Sequence, residues 1–250
     1  MPAGKLIALI VVFFVTSVVS VVTGSTSLIT VPVMISFGME AHEAIATNML
    51  ALTFMSVGGA LPFLRKKIVS RDRLAAFIVL TLAGSALGAA LMLRVPITAL
   101  QIIIACAMVA VALFSIFHPE QGREAQGRVS TMASGVGFMV TFLLAIYGGF
   151  FSGGYVTMLT AAFVVLLGMN FLEAIATTKV INLFSSAVAT AIFAARGVVD
   201  WRLGIVLGAS MFVGAMLGAR ITLLLSAAWV RRIFLLAVFA LALKMLASAL

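Results

Sequence analysis

Apolar residues run in long blocks along this chain, and polar residues are confined to the gaps between them. The apolar spans fall at 5–22, 28–37, 42–64, 74–93, 96–117, 131–151, 157–169, 172–194, 202–224 and 229–249. Most are near 20 residues, the length at which a helix crosses a hydrocarbon core of about 30 Å. Two are too short, 28–37 and 157–169. Each follows a long span after an interruption rich in small or hydroxyl residues. The interruptions read Thr23-Gly24-Ser25-Thr26-Ser27 and Gly148-Gly149-Phe150-Phe151-Ser152-Gly153-Gly154-Tyr155.

The pattern repeats. Glu43-Ala44-Ile45-Ala46-Thr47 equals Glu173-Ala174-Ile175-Ala176-Thr177, an offset of 173 − 43 = 130. At the same offset Gly24 matches Gly154, Thr30 matches Thr160, Gly38-Met39 matches Gly168-Met169, and Leu87-Gly88-Ala89 matches Leu217-Gly218-Ala219. Over 38–47 against 168–177, seven of ten positions agree, where chance among common residues gives about one. The chain is therefore a duplication, and its first span belongs to the first copy rather than to a cleaved leader. The halves divide as 1–118 and 131–250, joined by the polar linker 119–130. Each copy holds five spans: one long, one short, three long. Five is odd, so the second copy enters the membrane with the opposite orientation. That holds whether the first two spans cross fully or dip in and return. The expected fold is an all-α membrane protein of two inverted-topology repeats, each a broken or re-entrant helix hairpin plus three transmembrane helices. This is a common plan of secondary transporters.

Composition agrees. Apolar residues make up 64% of the 250 residues and charged residues 9%, against roughly 25% charged in a soluble domain. That excludes a soluble enzyme, a disordered chain and a disulfide-stapled module. The single cysteine, Cys106, reads as a small core residue. The net charge of +9 could suggest nucleic acid, but the bases form no stripe with interleaved aromatics. With the Lys5 end outside, the inner loops hold Arg65, Lys66, Lys67, Arg71, Arg73, Arg123, Arg128, Arg220, Arg231 and Arg232. The outer side holds Lys5, Arg94, Arg196, Arg202 and Lys244. Ten against five is the asymmetry of a multi-pass protein of a cell inner membrane or plasma membrane.

Three constellations carry chemistry. The first is the pair of interruptions. Broken backbone is tolerated in lipid only where protein or a water cavity receives it, and opposed half-helix N-termini offer free N–H groups to an anion. Gly24, Ser25, Thr26, Ser27, Ser152, Gly153, Gly154, Tyr155 and Thr157 are the candidate binding residues there. The competing reading is plain tight turns, or small residues that let helices approach. The second is Thr47-Asn48 in the first copy and Thr177-Thr178-Lys179 with Asn182 in the second. Lys179 reads as a fixed cation facing an anion, or as a lysine snorkelling from a shallow position. The third is Glu43 and Glu173, either coupling or gating carboxylates or acids that favour a helix N-terminus. No catalytic set, metal-ligand spacing or cofactor motif is present, so an integral-membrane enzyme is disfavoured.

These runs resemble the sulfite exporter TauE/SafE family. The resembling residues are Gly24 to Pro32, Ala44-Ile45-Ala46-Thr47-Asn48 and the basic Arg65-Lys66-Lys67-Ile68-Val69 in the first copy. In the second they are Gly148 to Gly154, Ala174 to Asn182, Gly197-Val198-Val199-Asp200-Trp201 and Gly214 to Arg220. The first break departs from the family's more glycine-rich pattern. The resemblance implies a permease, usually an exporter, for small sulfur-containing or organic anions such as sulfite, sulfonates, sulfoacetate or related oxyanions. The expected partners are that anion and the bilayer, without nucleic acid, cofactor or metal; a homodimer stays open. An uncoupled anion channel at the same site is the alternative.

Overall fold

Three of the helices begin at a side-chain cap, and several end at a glycine or a turn. A computed structural model of the chain describes residues 3–24, 26–69, 73–100, 102–103, 131–225 and 229. Ser25, Cys106 and the linker 119–130 lie outside these residues, as do most of the spans 96–117 and 229–249. Among the described residues there are eight helices of ten residues or more: α1 (Ala3–Thr23), α2 (Ser27–Ser36), α3 (Ala41–Arg65), α4 (Leu74–Met92), α5 (Thr131–Phe150), α6 (Tyr155–Leu167), α7 (Phe171–Ala195) and α8 (Trp201–Leu224). The Glu40 side chain accepts from His42 N at the start of α3. Asn170 accepts from Glu173 N ahead of α7, and Asp200 from Leu203 N ahead of α8. Each such cap contributes about 1 kcal/mol.

Five of these helices are long and apolar enough to cross a membrane. Their surfaces are sorted for lipid. On α1 the exposed stripe is Ile7, Val11, Val15 and Val19, while Thr16, Ser17, Ser20 and Thr23 are buried. Placing hydroxyls inward and branched apolar residues outward suits a hydrocarbon solvent, where packing of small residues holds helices together.

The two halves pack onto each other in matched ways. α1 lies against α8, and its counterpart α5 lies against α4. Glycines set both contacts. A Cβ on Gly88 would fall on the Ile146 carbonyl oxygen of α5, and one on Gly218, 130 residues later, would fall on the Val18 carbonyl oxygen of α1. α3 packs between α7 and α8.

Directions follow from the residues in contact. Along α3 and α8, Thr47 meets Asp200 and Gly204, Phe54 meets Gly208, and Gly58 meets Phe212, so the two run parallel. Along α3 and α7, Thr53 meets Thr190 and Ser56 meets Asn182, so these run antiparallel. His42 near the start of α3 faces the Val95 carbonyl just past α4, making those two antiparallel as well. The first two helices of each half form a hairpin that returns to the side it came from. Lys5 Nζ donates to the Phe37 carbonyl (3.2 Å) beyond α2, and Gly137 of α5 packs on Leu167 at the end of α6.

Candidate functional site

The tips of the two hairpins meet in the middle of the bundle. Gly24, just after α1, has φ +70°, which an L side chain adopts only with strain. A Cβ there would lie 2.8 Å from Thr157 N and 2.9 Å from Val156 Cβ at the start of α6. The Thr157 hydroxyl donates to the Thr23 carbonyl, tying the start of α6 to the end of α1. In the second break Ser152 and Gly154 have φ +66° and +77°, and the Tyr147 hydroxyl donates to the Gly153 carbonyl. The backbone thus turns sharply at both tips, and the N-terminal ends of α2 and α6 point at the centre of the fold.

Between the tips lies a cavity of about 10 Å³, the space of a single water molecule. Its wall is built from Gly24, Thr26 and Ser27 of the first break and Ser152 and Val156 of the second. Leu52 and Met55 of α3 and Lys179 and Asn182 of α7 complete it. Six of these nine, Gly24, Thr26, Ser27, Ser152, Lys179 and Asn182, are residues that the sequence singles out.

Lys179 is 2% exposed. Its ammonium lies inside the bundle rather than on its surface. Nζ donates to the Ser20 carbonyl (2.8 Å) in the last turn of α1. This carbonyl end carries the negative pole of the helix dipole, a favourable place for a cation. An ammonium has three donors, and among the described residues Ser20 is its hydrogen-bond partner. No acidic residue of the chain falls inside an apolar span away from its ends: the seven are Glu40, Glu43, Asp72, Glu120, Glu124, Glu173 and Asp200. Asn182, 4% exposed, donates to Ser56 Oγ (2.7 Å), and among the described residues its Oδ1 has no hydrogen-bond partner.

The remaining candidates sit around the cavity rather than on it. Asn48 Nδ2 donates to Ser27 Oγ (2.9 Å) and Asn48 Oδ1 accepts from Thr30 (2.7 Å), which braces α2 on α3. The equivalent pair Thr160 and Thr178 (3.1 Å) braces α6 on α7. Thr47 accepts from Asp200 N and joins α3 to α8. Thr177 is buried in α7. Tyr155 is buried with its ring beside Gly148 and does not line the cavity, nor do Gly153, Gly154 and Thr157. Ser25 lies outside the described residues. Glu43 and Glu173 stand in the first turns of α3 and α7, at the helix ends and away from the cavity. Leu52, Met55, Val156 and the Ser20 carbonyl were not foreseen. Leu52 could have been suspected, because it is the first-copy counterpart of Asn182 (182 − 130 = 52).

The comparisons with known proteins follow the same lines. The model of the family described as sulfite exporter TauE/SafE matches residues 9–245. A probable membrane transporter protein of Haemophilus influenzae is 31% identical over 211 residues, covering 84% of this chain and 82% of the relative. The probable membrane transporter protein ORF9 of a Sinorhizobium species is 29% identical over 243 residues, covering 96% and 92%. The probable membrane transporter protein YfcA of Escherichia coli K12 is 31% identical over 209 residues, covering 81% and 75%. No solved structure matches. With apolar helices sorted for lipid, two hairpins meeting tip to tip and a family match over nearly the whole chain, the protein is a multi-pass membrane transporter that belongs to the TauE/SafE sulfite exporter family.

Proposed function

We propose that the protein is a secondary transporter, an exporter, of small oxyanions such as sulfite, sulfonates, sulfoacetate or related organic anions. They bind at the midplane between the two hairpin tips. The observation that carries this reading is Lys179: a buried cation on the cavity wall, with no carboxylate inside the spans to balance it. A buried charge without a counter-ion is costly, and an anionic cargo supplies that counter-ion. The α2 and α6 N-termini add N–H groups and partial positive charge.

Alternating access is the mechanism this arrangement favours. α1, α3 and α8 run one way and their counterparts α5, α7 and α4 run the other, which supports two re-entrant hairpins entering from opposite faces in an inverted-topology repeat. The cavity is smaller than any oxyanion, so loading requires one tip to withdraw. The Thr157–Thr23 bond and the Gly24–Thr157 contact close the space between the tips, which argues against an open anion channel. Thermal unfolding of the purified protein across a panel of sulfite, sulfoacetate, sulfate, acetate and chloride tests the reading. A cargo at 100 times its dissociation constant adds about 2.7 kcal/mol. Equal behaviour in all five anions would remove the basis for an oxyanion site.

A further inference from the structure

A second cavity, of about 190 Å³, lies between α3 and α8. α3 and α8 are locked together where a Cβ on Gly58 would strike the Phe212 carbonyl. Beyond that point, toward their C-terminal ends, a groove is lined by both helices. Its walls are apolar, from Leu61, Pro62, Met216 and Leu223, and its mouth is set with Arg65, Lys66 and Arg220. All three cations are exposed, and among the described residues no carboxylate pairs with any of them.

Basic residues at helix C-termini ordinarily offset the negative pole of the dipole, so that need must be subtracted first. Two helix ends present about half a negative charge each, together about one. Three full positive charges leave a surplus of about two. The groove therefore combines net positive charge with an apolar floor, at the level where two long apolar helices end. Phosphate attached to acyl chains matches both halves of that chemistry, whereas free phosphate matches the mouth alone. We propose that the groove between the C-terminal ends of α3 and α8 binds the headgroup of an anionic phospholipid. The phosphodiester contacts Arg65, Lys66 and Arg220, and an acyl chain lies along Met216 and Leu223. This site stands apart from the cavity between the hairpin tips, and its test does not depend on what that cavity carries.

The test is native mass spectrometry and thermal unfolding of the full chain in detergent. Phosphatidylglycerol, phosphatidylcholine or inorganic phosphate is added at equal phosphate concentration. Phosphatidylglycerol should bind and protect, and the other two should not. A juxtamembrane cation contributes about 1 kcal/mol toward an anionic headgroup, so Arg220→Gln should weaken phosphatidylglycerol binding about fivefold. The triple variant Arg65→Gln/Lys66→Gln/Arg220→Gln should weaken it about 100-fold. A control triple at the other end of the bundle, Arg94→Gln/Arg196→Gln/Arg202→Gln, should change it less than twofold. Equal losses in the two triples would reduce the effect to general electrostatics and overturn the site. Equal protection by inorganic phosphate would show a phosphate site without lipid, and unaltered binding by Arg220→Gln would also overturn the proposal. Arg220→Gln is a surface change that leaves the packing of α8 intact, so it remains decisive if the triple variant does not fold.

Discussion

Gly24→Ala is the perturbation that reads the hairpin contact most cleanly. Two separate costs arise there. The φ of +70° costs a residue with a Cβ about 1–2 kcal/mol. The new Cβ would also lie 2.8 Å from Thr157 N and 2.9 Å from Val156 Cβ, and overpacking of this kind costs about 1–3 kcal/mol more. The neighbours are backbone and a stiff β-branched side chain, so they cannot swing aside. The sum is about 2–5 kcal/mol. Gly197→Ala supplies the control, because its φ is +69° while nothing lies within 4 Å of its Cβ. It should cost only the first part, about 1–2 kcal/mol. Equilibrium unfolding in detergent measures both, and flux from proteoliposomes measures the consequence. Gly24→Ala should unfold more easily than Gly197→Ala and lose transport, while Gly197→Ala transports normally. If the two variants prove equally stable and equally active, the tips do not press on each other and the reasoning fails.

Other expectations follow from the same geometry. Asn48→Ala leaves Thr30 and Ser27 without their buried partner and should cost about 1–3 kcal/mol in unfolding measurements. Gly88→Ala and Gly218→Ala, each facing a carbonyl of a neighbouring helix, should destabilise by similar amounts of about 1–3 kcal/mol; unequal losses would show that the halves are not held by equivalent contacts. In a Cys106→Ala background, single cysteines at Ile68 and Val198 should react with an impermeant reagent from opposite faces. Labelling of both from one side would end the inverted-repeat proposal.

Much of this fold was legible because helix length and the 130-residue offset are both one-dimensional signals. The spans read at 42–64, 172–194 and 202–224 lie within a residue of α3, α7 and α8. The breaks were visible because small and hydroxyl residues interrupt two apolar runs at matched places. What the chain could not disclose is which surfaces meet. Thr30 and Thr160 were visible as a matched pair, but their bonds to Asn48 and Thr178 depend on how α2 and α6 lie against the next helix. Lys179 is the sharpest case. Counted along its helix it lies only about two turns past Glu173, yet it is buried because α1 ends beside it and offers the Ser20 carbonyl. Periodicity places a residue on a helix and leaves open what comes to rest against it.

The central claim is that Lys179 serves an anion and does more than cap α1. A titration of wild type and Lys179→Met with one stabilising anion, run beside unfolding of both proteins without it, tests this most directly. Methionine keeps most of the volume and removes a buried charge, a change that is often neutral or stabilising. The ligand-free variant should therefore unfold no more easily than wild type. A charge-assisted hydrogen bond to an oxyanion contributes about 1.5–3 kcal/mol, so anion affinity should fall by roughly 10- to 150-fold. A loss of stability with affinity changed by less than about threefold would contradict the account and leave Lys179 as a structural cap on the end of α1.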